Sequence, residues 1–249
     1  MSHMTRSTWF VLLIAGLLVA CAAPTPTLSP TLAPAPTTQP EPTQPVTAAT
    51  SIPSIPGDQV AISVAEDNET FNATVTGNGE IGVILADTFG YNPLRWLPLI
   101  EALEGNEHLR MVTFTYRDED ATPNQDTRAV FDYLRAEGID KIICVGAGYG
   151  SRACGYLQNE PEIIGMVLIT VDQPSKIEGD FPKLFLTADT DSVTPAAVTQ
   201  RVYEQSIEPK EFKSYAASVH GPALFSKEDV GPQVLADVTD FINTVVSGQ

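Results

Sequence analysis

Residues 141–157 of the chain read KIICVGAGYGSRACGYL, the pattern of a strand, a turn and a helix. Residues 141–145 form a short apolar run that is typical of a buried strand. Gly146, Gly148 and Gly150 then indicate a sharp turn, and residues 151–157 have the spacing of a helix. A strand that runs through a tight turn into a helix is the repeating unit of α/β proteins.

The segments on either side of this stretch alternate between strand and helix patterns. The predicted strands are residues 59–66, 70–76, 81–86, 111–116, 141–145, 164–171, 184–187 and 212–216, and the predicted helices are 93–103, 128–136, 151–157, 196–204 and 234–246. Such an alternation predicts an α/β three-layer sandwich: a mostly parallel, twisted sheet with helices on both faces. Because ligands bind at the carboxyl ends of parallel strands, the loops after the strands are the place to search for a site.

Three of these loops resemble those of the α/β-hydrolase family. The turn VGAGYG at residues 145–150 is similar to the nucleophile elbow G-x-S-x-G, with Gly148 where the family has its nucleophile. Residues 186–195, LTADTDSVTP, resemble the acid loop and put Asp191 at the acid position. His220 follows the last strand, where the family has its catalytic histidine. A dinucleotide-binding loop is the weaker alternative, because such a loop normally follows the first strand and this one follows the fifth.

The loop after the third strand, LADTFG at residues 85–90, matches the oxyanion region of the family, with Asp87 where histidine is common. The resemblance implies that the backbone amides of Thr88 or Phe89, together with that of Tyr149, form an oxyanion hole. A carboxylate at Asp87 would oppose a developing oxyanion there.

The missing hydroxyl at Gly148 determines the functional prediction. In this chemistry a histidine takes the proton of a serine, and glycine has nothing to deprotonate or acylate. We therefore expect a pseudo-hydrolase with a degenerate triad, which binds a small-molecule or acyl ligand or a partner without turnover. The alternative is an active carboxylic-ester hydrolase, either through water activated by His220 and Asp191 or with Gly148 an engineered replacement of a native serine.

Two neighbouring side chains are further candidates for a substitute nucleophile. Ser151 lies in the first turn of the predicted helix, where its hydroxyl is expected to point away and to cap the helix. Cys154 would need a lowered thiol pKa, and Arg152 is the only cation close to it in sequence. We expect Cys144 to be a small core residue and Cys154 to face elsewhere, so a disulfide between them is not predicted.

The short connection between the sixth and seventh strands, residues 172–181, leaves no room for the helical lid that many family members carry. The resemblance therefore implies an open pocket. The chain has 14 Lys and Arg against 31 Asp and Glu, a formal net charge of −17, which argues against nucleic acid as a partner. Because no His, Cys or Asp cluster has metal-ligand spacing and no glycine-rich phosphate loop is convincing, we expect neither a metal nor another cofactor.

Residues 1–20 are predicted to be a lipoprotein signal peptide. Arg6 precedes an unbroken run of twelve apolar residues, 9–20, which is shorter than the roughly 20 that span a membrane. The run ends in LVAC at residues 18–21, which resembles the lipobox of bacterial lipoproteins. The resemblance implies cleavage before Cys21 and attachment of diacylglycerol to its thiol; an ordinary secretory signal is the alternative.

Residues 21–56 contain the lipidated cysteine and a tether rich in proline and threonine, which holds ten of the 20 prolines. Nothing in this stretch can bury a core, so it is expected to be extended. Residues 57–249 are then the folded domain, which we expect outside the cytoplasm, held at the bacterial cell membrane by the lipid on Cys21.

Overall fold

The described part of the chain is built around one sheet of eight strands. The computed structural model describes residues 54–88, 92–118, 121–172 and 176–249. The predicted signal peptide, Cys21 and most of the predicted tether lie outside the described residues, and so does Phe89. No helix among the described residues is long and apolar enough to cross a membrane.

The strands confirm the predicted α/β architecture. They are β1 (Asp58–Ser63), β2 (Thr70–Thr76), β3 (Ile81–Ala86), β4 (Leu109–Phe114), β5 (Lys141–Ala147), β6 (Ile163–Ile169), β7 (Lys183–Ala188) and β8 (Lys210–Tyr215). Their order in the sheet is β1-β2-β4-β3-β5-β6-β7-β8. Strand β2 runs antiparallel to both of its neighbours, and the other adjacent pairs are parallel. Strands β3 and β5 are therefore central, and their carboxyl ends lie side by side.

The predicted helices are also present, with small shifts at their ends. They are α1 (Leu97–Leu103), which a 3₁₀ turn (Pro93–Trp96) precedes, α2 (Pro123–Ala136), α3 (Tyr149–Tyr156), α4 (Ala196–Gln205) and α5 (Gly231–Ser247), with a second 3₁₀ turn (Gly221–Ser226) before α5. Helix α2 begins five residues before its predicted start at 128. Pro123 occupies its first turn, where the missing N–H of proline removes no helical hydrogen bond.

The helices cover both faces of the sheet and create two cores. On β3, the side chains of Ile84 and Ala86 belong to one core, together with apolar residues of α2, α3 and α4. Val83 and Leu85 belong to the other core, with residues of α1 and α5. Successive side chains of a strand point to opposite faces, so a central strand buried on both sides reads as a continuous apolar run.

A disulfide joins Cys144 on β5 to Cys154 on α3, with the Cα atoms 5.6 Å apart. The expectation that the two cysteines face different directions is wrong. The turn after β5 folds α3 back along its own strand, so the buried face of the helix brings Cys154 against Cys144. Cys144 is a buried core residue as predicted, but it is also half of a covalent bond across the turn.

Candidate active site

The turn between β5 and α3 has the conformation of a nucleophile elbow at Gly148. This residue has φ 51° and ψ −114°, a region that side-chain-bearing residues rarely adopt. Its N–H donates to the carbonyl of Ile169 at the end of β6, at 2.9 Å. The flanking glycines are required by close contact: a Cβ on Gly150 would overlap the carbonyl of Ala86, and one on Gly146 would overlap the carbonyl of Gly150.

Asp191 and His220 come together on the adjacent loops after β7 and β8. Oδ2 of Asp191 lies 2.8 Å from Nδ1 of His220. The other carboxylate oxygen, Oδ1, accepts hydrogen bonds from the amides of Val193 at 2.8 Å and Thr194 at 3.1 Å. The side chain of Asp191 is fully buried and that of His220 is 11% exposed. A carboxylate that accepts Nδ1–H leaves Nε2 of a neutral ring free to accept a proton, which is the arrangement of a general base.

The partner of Nε2 is a residue whose side chain the sequence analysis did not consider. Oγ1 of Thr88 lies 3.2 Å from Nε2 of His220. A Cβ built on Gly148 would overlap Oγ1 of Thr88 and would lie 2.6 Å from its Cβ and 3.3 Å from Nε2. The Thr88 side chain thus occupies the space in which a side chain at position 148 would lie. No spacing in the sequence indicates this contact, because the two residues are 132 positions apart.

A hydrogen bond and an ion pair to Asp87 hold the loop after β3 in place. The N–H of Thr88 donates to Oδ1 of Asp87 at 2.6 Å. The guanidinium of Arg95 lies 3.3 Å from the same Oδ1 and donates to the carbonyl of His220 at 3.2 Å. Arg95 therefore links the predicted oxyanion loop to the histidine loop, a role that no sequence pattern indicated.

Of the other predicted oxyanion residues, Tyr149 is the first residue of α3, directly after Gly148, and its ring lies under the Arg152 guanidinium at 4.8 Å. Phe89 falls outside the described part of the chain. The backbone amide of Thr88 donates to a carboxylate, that of Asp87. An anionic group therefore already lies at one of the amides proposed to receive an oxyanion.

The two candidate substitute nucleophiles do not face His220. The hydroxyl of Ser151 is buried and lies 2.8 Å from the carbonyl of Gly146 and 2.9 Å from that of Ile169, so it joins the elbow to β6 instead of capping α3. Cys154 has no free thiol because it is bonded to Cys144.

Between β6 and β7 the structure describes residues 170–172 and 176–182, and these form no lid helix. A cavity of about 230 Å³ lies along α3 and is lined by Arg152, Tyr156 and Ile177 among others. Its lining includes Ser151 but neither Thr88 nor His220, so the cavity does not open onto the Thr88–His220 pair. Within the described ranges, no three His, Cys, Asp or Glu side chains are grouped as a metal site.

Comparison with known proteins identifies the fold. No protein-family model and no curated protein matches the sequence. Solved structures do match: an α/β serine hydrolase without a lid from Xanthomonas campestris has a TM-score of 0.61 at 14% identity, covering 78% of this chain and 97% of its own. Mouse α/β-hydrolase domain-containing protein 10 has a TM-score of 0.64 at 11% identity over 76% and 100%. A thermophilic esterase from Thermogutta terrifontis has a TM-score of 0.60 at 11% identity over 76% and 99%. The chain therefore has the α/β-hydrolase fold.

Proposed function

We propose that the chain is a membrane-anchored lipoprotein whose α/β-hydrolase-fold domain is a pseudo-hydrolase: it binds a small-molecule or acyl ligand, or a protein partner, without turnover. The observation that carries the proposal is the environment of Gly148. The backbone there retains the conformation of an elbow, but it presents no hydroxyl, and the Thr88 side chain fills the space beside it.

The oxyanion side of the site supports the same function. Acyl transfer requires hydrogen-bond donors aimed at the oxygen on which negative charge develops. The N–H of Thr88 instead donates to Asp87, whose negative charge would repel that oxygen. Two requirements of acyl transfer, a nucleophile on the elbow and an unoccupied donor at Thr88, are therefore both absent from the described residues.

An active carboxylic-ester hydrolase is the second candidate, and one observation favours it. The Asp191–His220 pair retains a 2.8 Å hydrogen bond and a buried carboxylate, as a general base acting on water would need. Removing one triad member leaves rates only about 10³–10⁴ above those in water, so such activity would be weak.

Hydrolysis of short-chain p-nitrophenyl esters by the full chain distinguishes the two candidates. We expect the wild type and His220→Ala to show the same background rate. His108→Ala is the matched control, since His108 is exposed and lies 2.7 Å from Glu80, away from the elbow. Turnover that is lost in His220→Ala and kept in His108→Ala would establish the hydrolase and end the pseudo-hydrolase proposal.

Ligand binding is tested separately from turnover. Butyrate and hexanoate are the simplest acyl probes, and we expect a saturable increase of the melting temperature that His220→Ala reduces. If neither acid raises the melting temperature of either protein, acyl ligands are removed from the proposal. Another small molecule or a protein partner then remains.

Attachment to the membrane is proposed from the apolar run and the LVAC pattern that ends at Cys21. The Cys144–Cys154 disulfide supports a location outside the cytoplasm, because disulfides persist mainly in oxidising compartments. In the bacterial host, Cys21→Ser should move the protein from the membrane fraction to the soluble fraction and abolish incorporation of labelled palmitate. Retention in the membrane with unchanged labelling would contradict the anchor.

A further inference from the structure

We infer that Thr88, and not the glycine at position 148 alone, disables the elbow: Thr88 replaces a serine hydroxyl as the partner of His220 and blocks any side chain on position 148. This inference rests on the proposed function and extends it to a second residue. Gly148 and Thr88 would then have to change together before the elbow could carry a nucleophile.

The Thr88 side chain fills the space beside Gly148. Thr88 lies between two glycines that both have positive φ, Gly148 at 51° and Gly221 at 59°. Its hydroxyl and Cβ fill the space next to Gly148, and its Cγ2 would lie 3.3 Å from a Cβ on Gly221. Thr88 is 2% exposed, so its side chain is packed on both sides. A serine at position 148 would therefore require Thr88 to leave its place, because the Cβ of Thr88, 2.6 Å from the added Cβ, does not move when its side chain rotates.

The backbone of Thr88 is held in place by its neighbours. Its N–H is bonded to Asp87, and Asp87 is paired with Arg95, which also donates to the carbonyl of His220. The loop that carries Thr88 is thus connected to the loop that carries His220. A shift of Thr88 large enough to admit a serine would disturb these contacts as well.

His220 already has a partner at each ring nitrogen. Nδ1 is bonded to Asp191, and Nε2 lies 3.2 Å from the Thr88 hydroxyl. The hydroxyl thus takes the hydrogen-bonding position at Nε2 that a serine on the elbow would occupy. It is a positioning residue instead of a nucleophile, because attack by Oγ1 would develop an oxyanion close to the carboxylate of Asp87, which is bonded to the Thr88 amide.

Labelling with a fluorophosphonate probe tests the inference. In this reaction a serine oxygen attacks phosphorus, fluoride leaves, and the serine proton passes to Nε2 of His220. We expect no labelling of the full-length wild type, little labelling of Gly148→Ser, and labelling at position 148 in Gly148→Ser/Thr88→Gly that is roughly tenfold or more faster than in the single variant. His220→Ala in the double variant should abolish it.

A second measurement does not depend on activity. Gly148→Ser should lower the melting temperature, and this loss should be smaller by on the order of 5 °C when Thr88→Gly is also present, because both Oγ1 and Cβ of Thr88 are then removed. The matched control is Thr113→Gly in the Gly148→Ser background. Thr113 is a threonine buried on β4, 1% exposed, that bonds to the carbonyl of Thr74, and its removal should restore neither stability nor labelling.

Both results are required, and each failure has a distinct meaning. Equal labelling of the single and double variants would overturn the inference while the silent wild type leaves the proposed function standing. The absence of coupling in the melting temperatures would also overturn the inference. So would a double variant that stays unlabelled both as it is and after Asp87→Asn has removed the carboxylate at the Thr88 amide. Labelling of the wild type on Thr88, lost in Thr88→Val and in His220→Ala, would overturn both the inference and the proposed function.

Discussion

Nδ1 of His220 lies 2.8 Å from Oδ2 of Asp191, on a carboxylate that has no exposed atoms. The same carboxylate accepts two backbone amides of its own loop through Oδ1. The pair therefore has a structural task that does not depend on a nucleophile: it fastens the loop after β7 to the loop after β8. This gives the first prediction.

Replacing Asp191 by alanine should lower the free energy of unfolding by about 3 kcal/mol, because two buried amides and an imidazole lose their acceptor. Urea denaturation measures the change. The control is Asp229→Ala, whose side chain is 79% exposed and should stay within about 0.5 kcal/mol of the wild type. Equal effects of the two substitutions would show that the contacts of Asp191 contribute nothing to stability.

Removal of the disulfide should also destabilise the domain. The two cysteines are ten residues apart in sequence, and closure of a loop of this size contributes about 3 kcal/mol in the chain-entropy account. We expect the double variant Cys144→Ala/Cys154→Ala to unfold at lower urea than the wild type. Dithiothreitol should lower the stability of the wild type only, and a reducing agent that affects both proteins alike would argue against the bond.

A methyl group on the elbow should be much more costly than one on a free turn. Gly150→Ala places a Cβ against the carbonyl of Ala86, and we expect it to cost about 3 kcal/mol or more, as overpacked sites do. Gly105→Ala is the matched control, because nothing lies within 4 Å of its added Cβ. Its effect on the urea midpoint should be near zero, and a comparable loss in both variants would refute the tight packing of the elbow.

Asp237 on α5 should contribute to the acid sensitivity of the domain. Burial raises the pKa of its carboxyl, but hydrogen bonds from Lys213, Tyr215 and Gln233 outweigh burial and lower the pKa from the ordinary value of 3.8. Since the folded state favours the ionised form, this stability is present above pH 3.8 and is lost as the pH falls through the lower folded pKa.

Asp237→Asn should therefore flatten the decrease of stability on the acid side, below about pH 4, relative to the wild type. Thermal melting at a series of pH values provides the measurement. Asp240→Asn changes an exposed carboxylate on the same helix and serves as the comparison. If the two variants have the same acid-side slope, the hydrogen bonds to Asp237 do not control it.

The fold could be predicted from the sequence because its information is local and periodic. The run at residues 81–86 is apolar at every position, and the structure makes it a strand buried on both faces. The glycines at 146 and 150 likewise indicated a turn, and the contact that requires Gly146 is local, with the carbonyl of Gly150 four residues later. The expected elements differ from the observed ones mainly at their ends, as at the start of α2.

The environment of Gly148 depends on contacts that no local pattern records. Thr88 and His220 are 132 residues apart, and only the sheet order brings their loops together. Arg95 reaches the site from a 3₁₀ turn whose direction the sequence does not specify. The disulfide was missed for the same reason, since it depends on the angle at which α3 returns along β5.

The disulfide also changes how the elbow can move. It closes residues 144–154 into a covalent ring that contains the three glycines of the turn, so this turn is tethered at both ends. Fraying of α3 away from β5, the ordinary way for such a segment to open, is prevented while the bond is intact. Gly148 lies within that ring, and its N–H donates to the carbonyl of Ile169 on β6. The amide proton of Gly148 should then exchange with deuterium only when the whole domain unfolds.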